Sequence, residues 1–197
     1  MSTDVKILAD SPEELETRFL EQGPGLSDTE LKNGAEPIGT LEVAPNVFQF
    51  RNLEHRPWEK ERHVRDLVQA LKRQQEPLDP ILLFAIAGHR LVLDGHCRLR
   101  AYIRSGLTSS AEIPVRYFRG EFSEALTRPA AENSKATLPF THEERLEAAW
   151  RLVRFDEGKG RYSLRKIGRC SGAGKSTVAN MRKVLAKDYD LSFDPRE

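Results

Sequence analysis

Apolar positions recur along this chain in two rhythms, and the change from one to the other falls near residue 121. In the first stretch, Val64, Leu67, Val68 and Leu71 stand at i, i+3, i+4 and i+7, which predicts a helix over 63–72 with one apolar face. Two apolar runs, 81–87 and 90–93, are split by Gly88 and His89 and predict a hairpin. Asp94 and Gly95 then turn the chain into a helix carrying Leu99, Tyr102 and Ile103, which Gly106 ends. Short strands are predicted at 40–43 and 114–118. Upstream, Ser11, Pro12 and Glu14 supply a cap, a first-turn proline and a glutamate three residues after the cap, so a helix starts there and runs to Gly23-Pro24-Gly25. From there to Gly39 the chain is polar without a period, which predicts a mobile linker.

Beyond 121 only the helical rhythm remains. Thr141 and Glu144 form a second capping box, followed by Leu146, Ala149, Trp150 and Val153 on one face. Gly158-Lys159-Gly160 reads as a hinge, and two shorter helical patterns, 164–170 and 175–185, are joined by Ser171-Gly172-Ala173-Gly174. The expected fold class is therefore α+β. An acidic arm (1–37) precedes a small mixed-sheet domain (38–120), an all-helical domain (121–188) and a tail (189–197).

Composition narrows the function classes. No run approaches the roughly 18 apolar residues of a membrane span, and Met1-Ser2-Thr3-Asp4 resembles no secretory signal, so a cytoplasmic protein is expected. Two cysteines among 197 residues cannot form a disulfide framework. The formal net charge of +1 conceals a segregation of charge. Eight acids (Asp10, Glu13, Glu14, Glu16, Glu21, Asp28, Glu30, Glu36) face two bases between 10 and 36, whereas eight bases and no acid lie between 161 and 187. An unopposed basic segment of that length points to a nucleic-acid surface.

Gly174-Lys175-Ser176 invites a phosphate-loop reading, but that motif needs a glycine at 169, where Arg169 stands, and a preceding apolar strand. The same residues fit a helix-turn-helix over 163–185. Ser163 caps the first helix, Gly168 lies where the helices approach, Gly172 makes the turn, and Val178, Met181 and Leu185 face inward. Lys175, Ser176, Thr177, Asn180, Arg182 and Lys183 are then expected to reach phosphates or base edges.

Asp94-Gly95-His96-Cys97-Arg98-Leu99-Arg100-Ala101 follows a strand and opens a helix, so its backbone amides and arginines suit an anion. Together with Val47-Phe48-Gln49-Phe50-Arg51, Leu78-Asp79-Pro80-Ile81, Ile113-Pro114-Val115, Glu132-Asn133 and the helix-turn-helix, in that order, it resembles the ParB/sulfiredoxin superfamily and its ParB-like members. In ParB proteins a G-E-R-R-x-R-A motif holds nucleotide triphosphates. Gly95, Arg98, Arg100 and Ala101 match it, with His96 and Cys97 in place of its Glu and first Arg. A second motif, E-N-x-Q-R, assists magnesium binding and hydrolysis. Glu132 and Asn133 match it, with Lys135 and Ala136 in place of its Gln and Arg. Sulfiredoxins use G-C-H-R, and here the order of cysteine and histidine is reversed.

The resemblance implies a ParB-like DNA-binding protein of plasmid or mobile-element type, acting in partition, regulation or competition. Its pocket would hold a nucleoside triphosphate (CTP or ATP, with Mg2+) through Gly95, Arg98, Arg100 and Asn133. Its partners would be DNA, the nucleotide, and a second copy or another plasmid or transfer protein. The D-G-H-x-R form is also similar to superfamily nucleases and nucleotide hydrolases. A second expectation is therefore a metal-dependent DNase or nucleotide triphosphatase, with Asp94, His96 and Glu132 catalytic and, with Asn133, holding the metal.

Overall fold

The computed structural model describes residues 5–49, 57–74, 76–133 and 140–192. The chain forms two compact units, Met1–Pro129 and Ala130–Glu197. In chain order the first contains β1 (Lys6–Ile7), α1 (Pro12–Gln22), β2 (Gly34–Pro37), β3 (Leu41–Val43), α2 (Pro45–Phe48), α3 (Pro57–Gln74), β4 (Ile81–Ile86), β5 (His89–Asp94), α4 (His96–Arg104), β6 (Glu112–Tyr117) and most of α5 (Phe122–Asn133). The second contains α6 (His142–Phe155), α7 (Leu164–Ser171) and α8 (Lys175–Ser192).

One six-stranded mixed sheet, in the order β1-β3-β5-β4-β6-β2, organises the first unit. Strand β4 lies near its centre, antiparallel to β5 and parallel to β6, and all six of its residues are buried. Its unbroken apolar run is what burial on both faces demands. Ile81, Leu83 and Ala85 join a core with Leu41, Val92, Leu99, Tyr102, Ile113 and Val115. Phe84 points the other way into an aromatic cluster, with Phe19, Phe48, Phe118 and Phe122 at centroid distances of 5.1, 6.4, 6.0 and 6.4 Å. The β4–β5 turn uses Ala87 (φ +50°) and Gly88 (φ +86°), two left-handed residues as a tight hairpin requires.

Within the expected mobile linker, residues 34–37 instead form a strand of the sheet, and a further strand lies at 6–7 in the arm. Residues 34–37 pair antiparallel with β6, and 6–7 pair parallel with β3. The acids of this region act as tethers and caps: Glu14 closes the Ser11 capping box, Glu36 accepts from the Tyr117 hydroxyl at 2.8 Å, and Asp28 meets Arg119 at 3.0 Å. A polar stretch reads as linker when its partners lie some 80 residues away, and these are supplied by β6. The boundary expected at 121 also moves, because Phe122 is buried against Phe48 and Phe84 in the first unit. Both capping boxes, at Ser11 and Thr141, form as read from the sequence.

The Gly23-Pro24-Gly25 bend docks on the hairpin tip. The Ala87 and Gly88 amides donate to the Gly23 and Pro24 carbonyls, each at 2.9 Å. A Cβ on Gly25 (φ +65°) would come within 2.3 Å of the Gly88 nitrogen. Gly25→Ala is expected to destabilise the first unit by about 2 kcal/mol or more, since strain and a backbone clash act together. Gly34→Ala, where nothing lies within 4 Å, should stay within about 0.5 kcal/mol. Urea unfolding of the two variants provides the comparison.

Candidate functional site

Strand β5 ends at Asp94, and Gly95 (φ +103°) turns the chain into α4 with no side chain capping the first turn. A Cβ at Gly95 would press to 3.2 Å on Arg98 and Ile81, so both conformation and packing require glycine there. Arg98 spans the corner. Its Nη1 donates to the Asp79 and Pro80 carbonyls at 2.9 and 2.6 Å, and its Nη2 to Asp94 Oδ2 at 2.7 Å. The Leu78-Asp79-Pro80 segment is thus a structural part of the corner, also held by Tyr102, whose hydroxyl accepts from the Leu78 amide at 2.7 Å.

His96 occupies the same corner. The residue as a whole is half-buried, but its Nε2 is enclosed and finds no hydrogen-bond partner among the described residues. Burial drives its pKa down to about 4. The Asp94 carboxylate opposes that shift and Arg98 adds to it. Burial thus favours the neutral imidazole, which suits a ligand or hydrogen-bond role.

The corner brings together Asp94, Gly95, His96 and Arg98, but not Arg100. Two residues on along a helix is about 200° around its axis, and Arg100 is exposed beside Glu61 instead. There the Arg104 guanidinium, bonded to Glu61, holds that carboxyl below its usual range, and Arg100 and Arg65 add smaller attractions. Glu132 and Asn133 close α5 in the backbone, but their side chains lie outside the described residues. Among the described residues no group of three His, Cys, Asp or Glu side chains could hold a metal ion. The Asp94 carboxylate is engaged by Arg98.

The second candidate surface lies in the helical unit. Ser163 caps α7 by accepting from the Lys166 amide at 3.1 Å. Gly172 (φ +77°) ends α7 in the left-handed conformation. A Cβ on Gly168 would sit 2.9 Å from the Ala173 carbonyl, so α7 needs glycine to lie against the turn. Ser171 Oγ donates to Ile167 O and accepts from the Ala173 amide, which sets the turn geometry. Val178 is fully buried, while Lys175, Ser176, Asn180 and Lys183 are exposed and Thr177 is half-buried. Ser176, Asn180 and Lys183 share the stripe opposite Val178.

Arg182 departs from the expected outward position. Its Nη2 donates to Asp156 Oδ2 and to the Tyr162 carbonyl, both at 2.6 Å. Asp156 was not among the residues expected at this surface, although an aspartate that ends a helix before a glycine-rich turn is a recognisable capping signal.

No family model matches the chain. It is 37% identical over 91 residues to a Streptomyces griseus protein described as a possible regulatory protein of the streptomycin biosynthesis operon. That match covers 46% of this chain and spans about a quarter (24%) of the relative. Among solved structures the chain is similar to the C-terminally truncated chromosome-partitioning protein ParB of Caulobacter crescentus. The ParB structure with CTP-γ-S has 23% identity and a TM-score of 0.41, covering 79% of each chain. The ParB structure with the centromeric parS site has 23% identity and a TM-score of 0.45, covering 78% of this chain and 72% of that one.

The His96 environment has a consequence for stability. A base whose folded pKa lies below its unfolded value of 6.5 binds fewer protons in the native state, so stability is lost as pH falls from 6.5 toward about 4. The loss attributable to His96 should reach at most about 3 kcal/mol. Denaturant midpoints compared between wild type and His96→Gln across this range should differ in slope. Parallel curves would show that the ring is solvated.

Proposed function

We propose that the chain is a ParB-like DNA-binding protein whose α8 enters the major groove, with a nucleotide pocket at the β5–α4 corner. The observation that carries this reading is the helical unit: α7, a left-handed turn and α8, with an outward stripe of Ser176, Asn180 and Lys183 and no acid from 161 to 187. Lysines 175 and 183 suit phosphates, and Asn180 suits the bidentate edge of an adenine. The first turn of α8 adds backbone amides that favour a phosphate. A role in regulating transcription is supported by the partial likeness to the Streptomyces griseus protein described as a possible regulator. A role on a plasmid or other mobile element, in partition or competition, follows from the motif resemblance alone.

For the nucleotide, support comes from the uncapped start of α4, the left-handed Gly95 and the unpartnered His96 Nε2. A triphosphate could recruit Arg98 only by exchanging with Asp94 or with the Asp79 and Pro80 carbonyls. A metal-dependent nuclease or triphosphatase needs more ligands than the corner's described side chains offer.

Two measurements test the reading. Lys175→Ala with Lys183→Ala should weaken binding to a labelled duplex and lower its log–log salt slope by about 1.8, at roughly 0.9 per phosphate contact. An unchanged slope removes α8 from the interface. Calorimetric titration with CTP or ATP, with and without Mg2+, should give saturable heat that Arg98→Ala abolishes. Absence of heat with wild type would reduce the corner to a structural turn and leave a plain DNA binder.

A further inference from the structure

We propose that the buried carboxylate of Asp156 and the half-buried Arg182 form a clasp that fixes the orientation of α8, making both positioning residues for DNA recognition rather than DNA contacts. This rests on the reading of α8 as the DNA-facing helix. Asp156 ends α6, and its side chain is only 2% exposed. Oδ1 accepts from the Arg161 and Tyr162 amides at 2.7 and 3.2 Å, closing the glycine-rich turn on itself. Oδ2 takes the Arg182 guanidinium, which also donates to the Tyr162 carbonyl. One carboxylate therefore joins the end of α6, the turn entering α7 and the second turn of α8.

Energetics keep Arg182 in place. Were it to swing out to a phosphate, Asp156 would remain buried without its counter-charge, and breaking one partner from such a pair is strongly unfavourable. Helix geometry agrees. Arg182 lies about 40° from buried Val178 around the axis, whereas Ser176, Asn180 and Lys183 lie about 140–200° away. Both bonds leave a single nitrogen, Nη2, which stands one bond farther from the backbone than a lysine ammonium, so lysine at this position ends short of the two acceptors. The rotation of α8 about its own axis, and so which side chains meet the groove, is set from behind by this pair.

The test uses the full chain and a duplex enriched by the wild-type protein from a randomised 20-base-pair library, with a scrambled duplex as reference. Anisotropy titrations are run across a salt series. Arg182→Lys, Arg182→Gln and Asp156→Asn should each lower affinity for the enriched duplex roughly tenfold. Each should erode preference over the scrambled duplex and leave the salt slope unchanged. The Asp156→Asn/Arg182→Gln double variant should be no worse than either single one, because both act through one link.

Wild-type-like binding by Arg182→Lys, a slope lowered by about 0.9 in Arg182→Gln, or losses that multiply in the double variant would each overturn the clasp. Thermal melting by circular dichroism identifies any unfolded variant. Arg182→Lys, which retains the charge at a partly exposed site, decides the question alone if Asp156→Asn fails to fold. If wild type enriches no duplex, the DNA-binding reading itself fails. If the enriched duplex is held and Arg182→Lys is indifferent, only the clasp fails.

Discussion

Strand β4 must be covered on both faces, and the first unit is arranged to meet that constraint. Six consecutive buried residues leave no polar face to turn toward water, so each side needs its own layer. Phe84 collects four aromatic rings from α1, α2, α5 and the end of β6. Opposite it, Ile81, Leu83 and Ala85 meet residues of β5, β6 and α4. Truncating a phenylalanine in such a position typically costs about 3–5 kcal/mol. The corner at Asp94 inherits its rigidity from this core, since Gly95 packs on Ile81 and Arg98 reaches back to the carbonyls just ahead of β4.

That inheritance leaves the corner's described side chains bonded to one another. Every hydrogen bond drawn from Arg98 is spent inside the protein, and it neutralises the one described carboxylate that His96 could have shared. Desolvation keeps His96 neutral. What remains available is backbone: the first amides of an α4 that no side chain caps. An anion would be met by dipoles already aligned, and its charge would compete with Asp94 for Arg98.

Elements with a strong local signal were legible in the sequence. The period of α3, the β4–β5 hairpin, both capping boxes and the turn between α7 and α8 are each determined within a few residues. Strands β1 and β2 were not, because two- and four-residue edge strands carry no period and are stabilised by partners such as Glu42 and Val115 far along the chain. The separation of Arg98 from Arg100 was available from the helical repeat, as was the inward bias of Arg182. Arg100 matches the nucleotide motif by type, and Arg182 shares the charge of its segment, so residue type alone points the wrong way at both. The enclosure of His96 Nε2 depends on tertiary packing and has no local signal at all.

Charge segregation within the helical unit reconciles a net charge of +1 with the proposed nucleic-acid surface. Glu143, Glu144, Glu147, Asp156 and Glu157 precede the glycine-rich turn, and no acid follows it until Asp188. Glu144 is committed to capping α6, Glu147 to Arg151 and Asp156 to the clasp. Screening in physiological salt limits each charge to about 8 Å, so a phosphate backbone would respond to the side chains it touches and not to the molecular total. Spending one arginine on Asp156 removes a cation from that local field. In exchange α8 gains a fixed azimuth, and a groove-reading helix whose base contacts lie on one narrow stripe depends on orientation more than on one additional charge.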